Sequence, residues 1–127
     1  MIELALSRAG LRDARRVHAR LLSVGEQQRL TVARALACEP DIMFLDEPTA
    51  SLDPASVQQI ETLLLDANAR GMAIVLVTHD VGQARRLGRD IVFVHTGRLA
   101  EQGRADSFFS TPQSDVARAY LAGEIIV

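Results

Sequence analysis

The apolar positions along the chain follow two spacings, one typical of strands and the other of helices. Residues 42–45 and Ala73–Val77 are continuous apolar runs too short for helices, so they predict two strands buried in a sheet. The segment between them places apolar side chains at helical spacing, namely Val57, Ile60, Leu63, Leu64 and Ala67. A strand, a helix and a strand of this length predict a right-handed crossover between parallel strands, and therefore an α/β fold.

Capping signals predict where the two longest helices begin. Ser23-x-x-Glu26 fits a capping box, in which each side chain accepts the backbone N–H of the other residue, and an apolar helical face of about 13 residues follows. Asp53 followed by Pro54 combines an N-cap with proline at the first helical position. Gly71 is expected to end that second helix.

The N-terminal segment is predicted to be helical in two pieces. Residues 2–9 place apolar side chains on one side of a short helix, which Gly10 is expected to end. Residues 11–22 predict a further helix, with an acidic residue near its start.

The C-terminal third predicts a capped helix, a hairpin and a final helix. Asp80 is expected to cap a helix that stops at Gly88. Residues 91–102 predict two strands joined by a tight turn at Thr96 and Gly97. The last helix is predicted for residues 114–121.

Two adjacent carboxylates, Asp46 and Glu47, follow the first predicted strand. Ligands of open α/β sheets bind beyond the carboxyl ends of the strands, so the position suits a site. One carboxylate can hold Mg²⁺, directly or through water, while its neighbour orients or deprotonates an attacking water. The alternative is that the pair only opens a polar loop.

Composition narrows the class of protein. With 127 residues, 48% apolar and 24% charged, the chain is predicted to be one soluble globular domain. No apolar run approaches the roughly 18 residues that span a bilayer, and the N-terminus lacks the apolar core of a signal peptide, so a cytosolic location is expected. The lone Cys38 is predicted to be a small core thiol near a helix end, because it has no partner for a disulfide or a zinc site.

Charge is unevenly distributed, since residues 1–34 hold seven arginines against three acidic residues. A basic face can attract phosphate or nucleic acid, but an amphipathic helical surface with exposed arginines is the favoured interpretation. No aromatic residue interleaves with these arginines, so nucleic acid is not an expected partner. All 14 basic residues of the chain are arginine, and no stretch fits the phosphate-binding loop G-x-x-x-x-G-K-[ST].

Three motifs occur in one order along the chain. They are Leu-Ser-Val-Gly-Glu-Gln-Gln-Arg at 22–29, an apolar strand ending in Asp-Glu and followed by Ser-Leu-Asp at 51–53, and Val-Thr-His-Asp at 77–80. Together they resemble the signature motif, the Walker B strand with its D-loop, and the switch histidine of the ATP-binding subunits of ABC transporters. The resemblance extends over residues 10–123.

The resemblance implies an α/β, partial P-loop NTPase (ABC ATPase) fold, with a mostly parallel sheet flanked by helices and without the Walker A half. Residues 1–22 would be the end of the helical subdomain. Residues 23–95 would form the core that carries the motifs, and residues 96–127 the C-terminal hairpin and helices.

The same resemblance implies roles for residues at the strand ends. Asp46 would hold Mg²⁺ through water, Glu47 would activate the attacking water, and His79 would contact the γ-phosphate of ATP. For an isolated histidine after a strand, a structural hydrogen bond would be the simpler interpretation.

Roles at a dimer interface follow from the resemblance as well. Ser23, Gly25 and Glu26 would bind the γ-phosphate of ATP held by the second subunit of a head-to-tail dimer. Ser51 and Asp53 would line the dimer contact. The motif departs from the usual Leu-Ser-Gly-Gly-Gln in two places: glutamate replaces glutamine, and a valine replaces the first glycine, which adds bulk and disfavours φ > 0 there.

The function implied for the intact protein is ATP hydrolysis coupled to transmembrane permease subunits, in a protein held at the inner face of the cell membrane. The segments Phe108-Phe109-x-x-Pro112 and 117–124 are similar to importers of oxyanions such as tungstate or phosphate. Without a phosphate loop, the chain alone is expected neither to bind Mg-ATP tightly nor to hydrolyse it. Two alternatives stay open: a nucleotide-independent dimerisation module, and an ABC ATPase that serves DNA or the ribosome.

Overall fold

The computed structural model describes residues 1–124, which divide into two compact units. The first unit is Met1–Val77 and the second begins at Thr78. The subdivision expected at residues 22 and 95 stays a prediction. Among the residues described, no helix has both the length and the apolar character needed to cross a membrane.

Apart from the segment 11–22, the first unit contains helices and strands in the predicted order. Its elements are α1 (Ile2–Arg8), α2 (Val24–Ala37), β1 (Ile42–Asp46), α3 (Pro54–Ala69) and β2 (Ala73–Val77). β1 and β2 pair in parallel, with Asp46 opposite Val77 in the register. The carboxyl ends of the two strands therefore lie at one edge of this unit, as the crossover predicts.

The predicted starts of α2 and α3, and the glycines predicted to end α1 and α3, are confirmed. Ser23 and Glu26 form the capping box at the start of α2, and the Asp53 carboxylate accepts the Ser56 N–H at the start of α3. Gly10 and Gly71 follow the ends of α1 and α3 with φ of +67° and +100°. These left-handed conformations explain why glycine ends both helices.

The core of the first unit lies between α3, one face of the β1–β2 pair and α2. Its buried residues are Ala9, Leu11, Val32, Ala33, Met43, Leu45, Ile60, Leu63 and Leu64. The opposite face of β1 is exposed, with Ile42 and Phe44 at 53% and 77%. The prediction that both strands are buried is therefore wrong for alternate residues, because side chains of a strand alternate between faces and only one face is packed here.

Residues 11–22 do not form the predicted helix. They form two 3₁₀ turns, Arg12–Ala14 and Ala19–Leu21, separated by an extended His18. Only Leu11 of this segment is buried, while Leu21 is 74% exposed. A helix this short depends on packing of an apolar face, and the segment has too few buried side chains to supply it.

The second unit contains the predicted hairpin and helices, with one helix that was not expected. Its elements are α4 (Val81–Leu87), β3 (Asp90–His95), β4 (Arg98–Arg104), α5 (Ala105–Ser110) and α6 (Asp115–Leu121). β3 and β4 pair antiparallel through a turn at Thr96 and Gly97, whose φ angles are +48° and +72°. Positive φ at both positions is the geometry of a type I′ hairpin turn.

Aromatic rings fill the interior of the second unit. Phe93 of β3 packs against Phe108 of α5 and Tyr120 of α6, with centroid separations of 5.7 and 5.3 Å. Phe108 is buried. Phe109 instead lies under the guanidinium of Arg85, whose Cζ is 4.5 Å from the centroid of the Phe109 ring.

Cys38 is not a core thiol. It is the C-cap of α2, so its place near a helix end is confirmed, but its side chain is exposed. The sulfur lies 3.6 Å from the Arg34 carbonyl oxygen, to which it donates. Ala35 and Leu36 in the last turn of α2 still pack against the core, whereas Cys38 stands just past the last helical residue.

Candidate functional site

The start of α2 is held by reciprocal hydrogen bonds. The Ser23 Oγ accepts the Glu26 N–H at 3.2 Å, and the Glu26 Oε2 accepts the Ser23 N–H at 2.7 Å. The Ser23 backbone N–H, followed by the Ser23 hydroxyl, holds the pKa of Glu26 below its ordinary value. The glutamate of the motif is thus engaged in the cap, and the partial positive charge of the helix N-terminus favours an anion there.

The unusual Val24 occupies the first helical position of α2. The φ angle of Val24 is negative, so this position does not need a residue that tolerates a left-handed backbone. Its side chain is 70% exposed. The valine is therefore tolerated by the fold, and its bulk adds an apolar surface beside the helix start.

Gly25 allows α2 to approach the start of α3 closely. A Cβ atom at Gly25 would overlap the Ser56 Oγ, lie 2.9 Å from the Ser56 Cβ and lie 3.6 Å from the Asp53 Oδ1. Gly25 and Ser56 are both buried. The structure thus joins the signature-like motif and the D-loop-like motif of the same chain through Gly25, Ser56 and Asp53.

Ser56 also orders the carboxylate of Asp53. Its hydroxyl first, and its backbone N–H second, hold the pKa of Asp53 below the ordinary value. The backbone bond to Oδ2 is 3.0 Å long. Asp53 therefore acts as the helix cap and stays ionised in the neutral range.

The two adjacent carboxylates leave β1 in different surroundings. Asp46 is exposed at the last position of the strand, whereas Glu47 is half-buried and has a φ of +46°. The Glu47 N–H donates to the Val77 carbonyl at 2.9 Å, which extends the β1–β2 pairing by one residue. A left-handed glutamate is uncommon and costs free energy, and such conformations concentrate at functional sites.

Two turns link this strand end to α3. Ala50 N–H donates to the Glu47 carbonyl, and Leu52 N–H donates to the Thr49 carbonyl. Ser51, at the exposed tip, has a φ of +60°. The loop is therefore a compact, defined connection that presents Ser51 to solvent.

A magnesium ion at Asp46 requires few ligands from this chain. Mg²⁺ in nucleotide sites keeps several waters and takes one or two carboxylates together with phosphate oxygens. Within residues 1–124, no group of three or more histidine, cysteine or acidic side chains is gathered around a metal position. The exposed Asp46 carboxylate fits the role of one ligand among waters and phosphates.

His79 stands two residues beyond Val77 and belongs to the second unit. The Asp80 N–H donates to the Thr78 Oγ1 at 3.0 Å, and the Asp80 carboxylate caps α4 by accepting the Gln83 N–H. The Tyr120 hydroxyl donates to the His79 carbonyl at 2.9 Å. The backbone on either side of the exposed His79 is thus fixed by three hydrogen bonds.

The sequence analysis did not assign a role to three residues that support the motifs, namely Arg29, Ser56 and Tyr120. Arg29 is buried and donates from Nη1 to the Ala9 carbonyl at 3.3 Å, which ties α2 to the end of α1. Arg29 lies inside the quoted motif, so its place was available as a signal. Ser56 and Tyr120 gave none, because their contacts join segments that are distant in sequence.

A sequence model of the ABC transporter family matches residues 1–50. Curated relatives match much more of the chain. A phosphate import ATP-binding protein of Natronomonas pharaonis is 43% identical over 96% of this chain and 43% of its own length. An arginine/ornithine transport ATP-binding protein of Pseudomonas aeruginosa is 38% identical over 94% of this chain and 47% of its own.

The fold agrees with the sequence. The solved structure of CbiO1 from Clostridium perfringens, described as part of the ABC transporter complex CbiONQ, has a TM-score of 0.77 and 32% identity, covering 87% of this chain and 44% of that one. In sequence and in fold, the chain is similar to ATP-binding proteins of ABC transporters. The predicted ABC-type α/β fold is thereby confirmed.

The chain spans less than half the length of these ABC relatives. A probable anion import ATP-binding protein of Haloferax volcanii is 40% identical over 96% of this chain and 42% of its own length. The names of the three relatives therefore give different cargoes: phosphate, arginine and ornithine, and an anion. The relatives therefore agree on ATP binding and transport and disagree on what is transported.

Proposed function

We propose that this chain supplies the signature, Walker B, D-loop and switch-histidine parts of an ATP-hydrolysing subunit of an ABC importer. Its similarity over nearly all of its length to import ATP-binding proteins supports this proposal. The left-handed Glu47 at the carboxyl end of the parallel β1–β2 pair is the structural observation that carries it most directly.

The proposed chemistry divides among the residues at the strand ends. Asp46 holds Mg²⁺ through water, and the half-buried Glu47 takes a proton from the attacking water. His79 contacts the terminal phosphate of ATP. Phosphoryl transfer depends mostly on positioning and electrostatics, so a fixed backbone at each of these residues serves the reaction.

A second set of residues acts on nucleotide held by a partner subunit. Ser23, Gly25 and Glu26 form the anion-facing helix start, with Glu26 holding Ser23 in place through the capping box. Ser51 and Asp53 lie at the contact between two ATPase subunits arranged head to tail. The exposed tip at Ser51 suits such a contact.

The assembly that follows from this role is cytoplasmic and peripheral to the membrane. Two ATPase subunits bind permease subunits that span the bilayer, and nucleic acid has no part in it. We propose an oxyanion as the cargo on the similarity of the C-terminal segment and of two anion-importing relatives. The amino-acid transporters among the relatives make a basic amino acid the competing class.

The first experiment tests nucleotide binding by the chain alone. Residues 1–127 contain no G-x-x-x-x-G-K-[ST] loop, so calorimetry is expected to show no micromolar affinity for Mg-ATP. Micromolar binding would contradict the proposal that this chain acts only together with a phosphate-loop segment.

The second experiment restores such a segment. The chain is fused to the phosphate-loop part of the Natronomonas pharaonis relative, and ATP hydrolysis is measured. Glu47→Gln is expected to lower kcat by about 10²- to 10⁴-fold, the usual effect of losing a general base. Asp41→Asn, an exposed acid just before β1, is the matched control and should leave kcat unchanged. A folded fusion that hydrolyses no ATP, or a Glu47→Gln variant with full activity, would contradict the proposed function.

A further inference from the structure

The backbone carbonyl of His79 receives a hydrogen bond from the opposite end of the second unit. The Tyr120 hydroxyl donates to it at 2.9 Å, across a sequence separation of 41 residues. Tyr120 lies in the last turn of α6, whose range ends at Leu121. The final helix thus reaches back to the segment that connects β2 with α4.

The Tyr120 side chain is held by more than this bond. Its ring packs on Phe93 with a centroid separation of 5.3 Å, and Phe93 in turn packs on the buried Phe108. An aromatic contact of this kind limits rotation of the ring, so the hydroxyl has a defined position.

The start of α6 is fixed independently. The Glu101 carboxylate accepts the backbone N–H groups of Gln113 and Ser114 at 2.8 and 3.0 Å, and it also accepts the Ser114 hydroxyl at 2.9 Å. Ser114 caps α6 through the Ala117 N–H. Because both ends of α6 are bonded to the rest of the unit, Tyr120 is a rigid donor to His79.

We propose that Tyr120 is a positioning residue for His79. By restraining the His79 carbonyl, it fixes the backbone that carries the imidazole. Helix α6 thus helps to position the switch histidine. This inference rests on the proposed function in taking His79 as the residue that meets the terminal phosphate. The restraint itself is a property of the second unit and is measurable without nucleotide.

The restraint is tested by NMR on the full chain. Tyr120→Phe removes only the hydroxyl and keeps the ring that packs on Phe93. The carbonyl ¹³C resonance of His79 is expected to move upfield, and the amides of residues 78–80 are expected to become more mobile. An unchanged His79 carbonyl resonance would overturn the proposal.

A matched control perturbs α6 without touching this bond. Arg118→Gln removes hydrogen bonds from the guanidinium to the carbonyls of Pro112 and Gln113. It should leave the His79 carbonyl resonance in place. A shift of the same size in Arg118→Gln would mean that any disturbance of α6 reaches His79, and would overturn a specific role for the hydroxyl. The chain has a single tyrosine and no tryptophan, so tyrosine fluorescence reports on Tyr120 alone. In the Arg118→Gln variant it checks that the Tyr120 ring stays packed.

The functional consequence is tested in the fused ATPase. Tyr120→Phe is expected to lower kcat about two- to tenfold, the effect of one hydrogen bond, with KM nearly unchanged. In a His79→Ala background the same substitution should have no further effect on kcat, because the imidazole through which it acts is gone. An equal loss in both backgrounds would overturn the proposal. A fusion without ATPase activity would contradict the proposed function, while the NMR comparison would still decide whether Tyr120 positions His79.

Discussion

The Cα of Gly25 packs directly against the Ser56 side chain, so that no Cβ fits between the start of α2 and the start of α3. The first prediction follows from this contact. Gly25→Ala should lower the free energy of unfolding by about 1–3 kcal/mol, the usual cost of overpacking, and chemical denaturation measures it. Gly103→Ala is the control, since a Cβ there meets no atom within 4 Å.

The same contact predicts a rescue. Adding Ser56→Gly to Gly25→Ala removes the overlapping side chain, so the double variant should recover part of the lost stability. The recovery should be incomplete, because the lost Ser56 hydroxyl also bonds to Asp53 and because glycine is unfavourable within a helix. Strictly additive losses would contradict a direct contact between the two residues.

The second prediction concerns Arg29, which ties α2 to the end of α1. Arg29→Ala should destabilise the chain by about 1–3 kcal/mol, because the Ala9 carbonyl loses a charged donor and the buried stem leaves a gap. Arg34→Ala, an exposed arginine of the same helix, should change stability by no more than about 0.5 kcal/mol. Equal effects in thermal melts of the two variants would contradict the special role of Arg29.

The third prediction is a pH dependence at Glu101. The backbone N–H groups of Gln113 and Ser114 hold the pKa of Glu101 below its ordinary value of 4.5. A carboxylate with a lowered folded pKa stabilises the fold at neutral pH, and this contribution is lost as the pH falls through the folded pKa.

Glu101→Gln should therefore be less stable than the unmodified chain at neutral pH, and the difference should shrink as the pH is lowered below about 4.5. Urea denaturation at a series of pH values measures it. Asp106→Asn is a suitable control, since among residues 1–124 the side chain of that acid accepts only the neighbouring Ser107 N–H. A difference that stays constant between neutral and acidic pH would show that the charge of Glu101 is irrelevant.

The fourth prediction is a stabilising substitution in the hairpin. Thr96 has a φ of +48°, which is costly for a β-branched residue, and it is exposed. Thr96→Asn creates the Asn-Gly pair preferred in type I′ turns and should stabilise the chain by about 1 kcal/mol. Thr111→Asn, at a position with φ of −144°, should give no comparable gain in melting temperature.

Local signals in the sequence predicted the helix starts well. The capping residues Ser23, Asp53 and Asp80 each bond an N–H three residues ahead, so all the information lies within four residues of chain. The hairpin turn at Thr96 and Gly97 is equally local. By contrast, the segment 11–22 and the burial of Cys38 were predicted wrongly, because both depend on which surfaces other elements cover.

For the candidate site, too, the sequence predicted some features and not others. The positions of Asp46 and Glu47 at a strand end follow from a short apolar run, and the parallel pairing that places Asp46 opposite Val77 follows from the length of the crossover. The left-handed backbone of Glu47 was not predicted, and its N–H bonds to Val77, a residue 30 positions further along the chain. The roles proposed for these residues stay predictions for the fused ATPase to test.

By itself, the sequence determined the order of helices and strands, their caps and the motifs that resemble ABC ATPases, since each depends on residues close together along the chain. Only the tertiary structure decided that Gly25 is required by Ser56, that Arg29 joins two helices, and that one face of β1 is exposed. It also decided that the final helix holds the His79 carbonyl. Contacts between distant segments depend on the packing of whole elements, and no spacing rule within one segment encodes them.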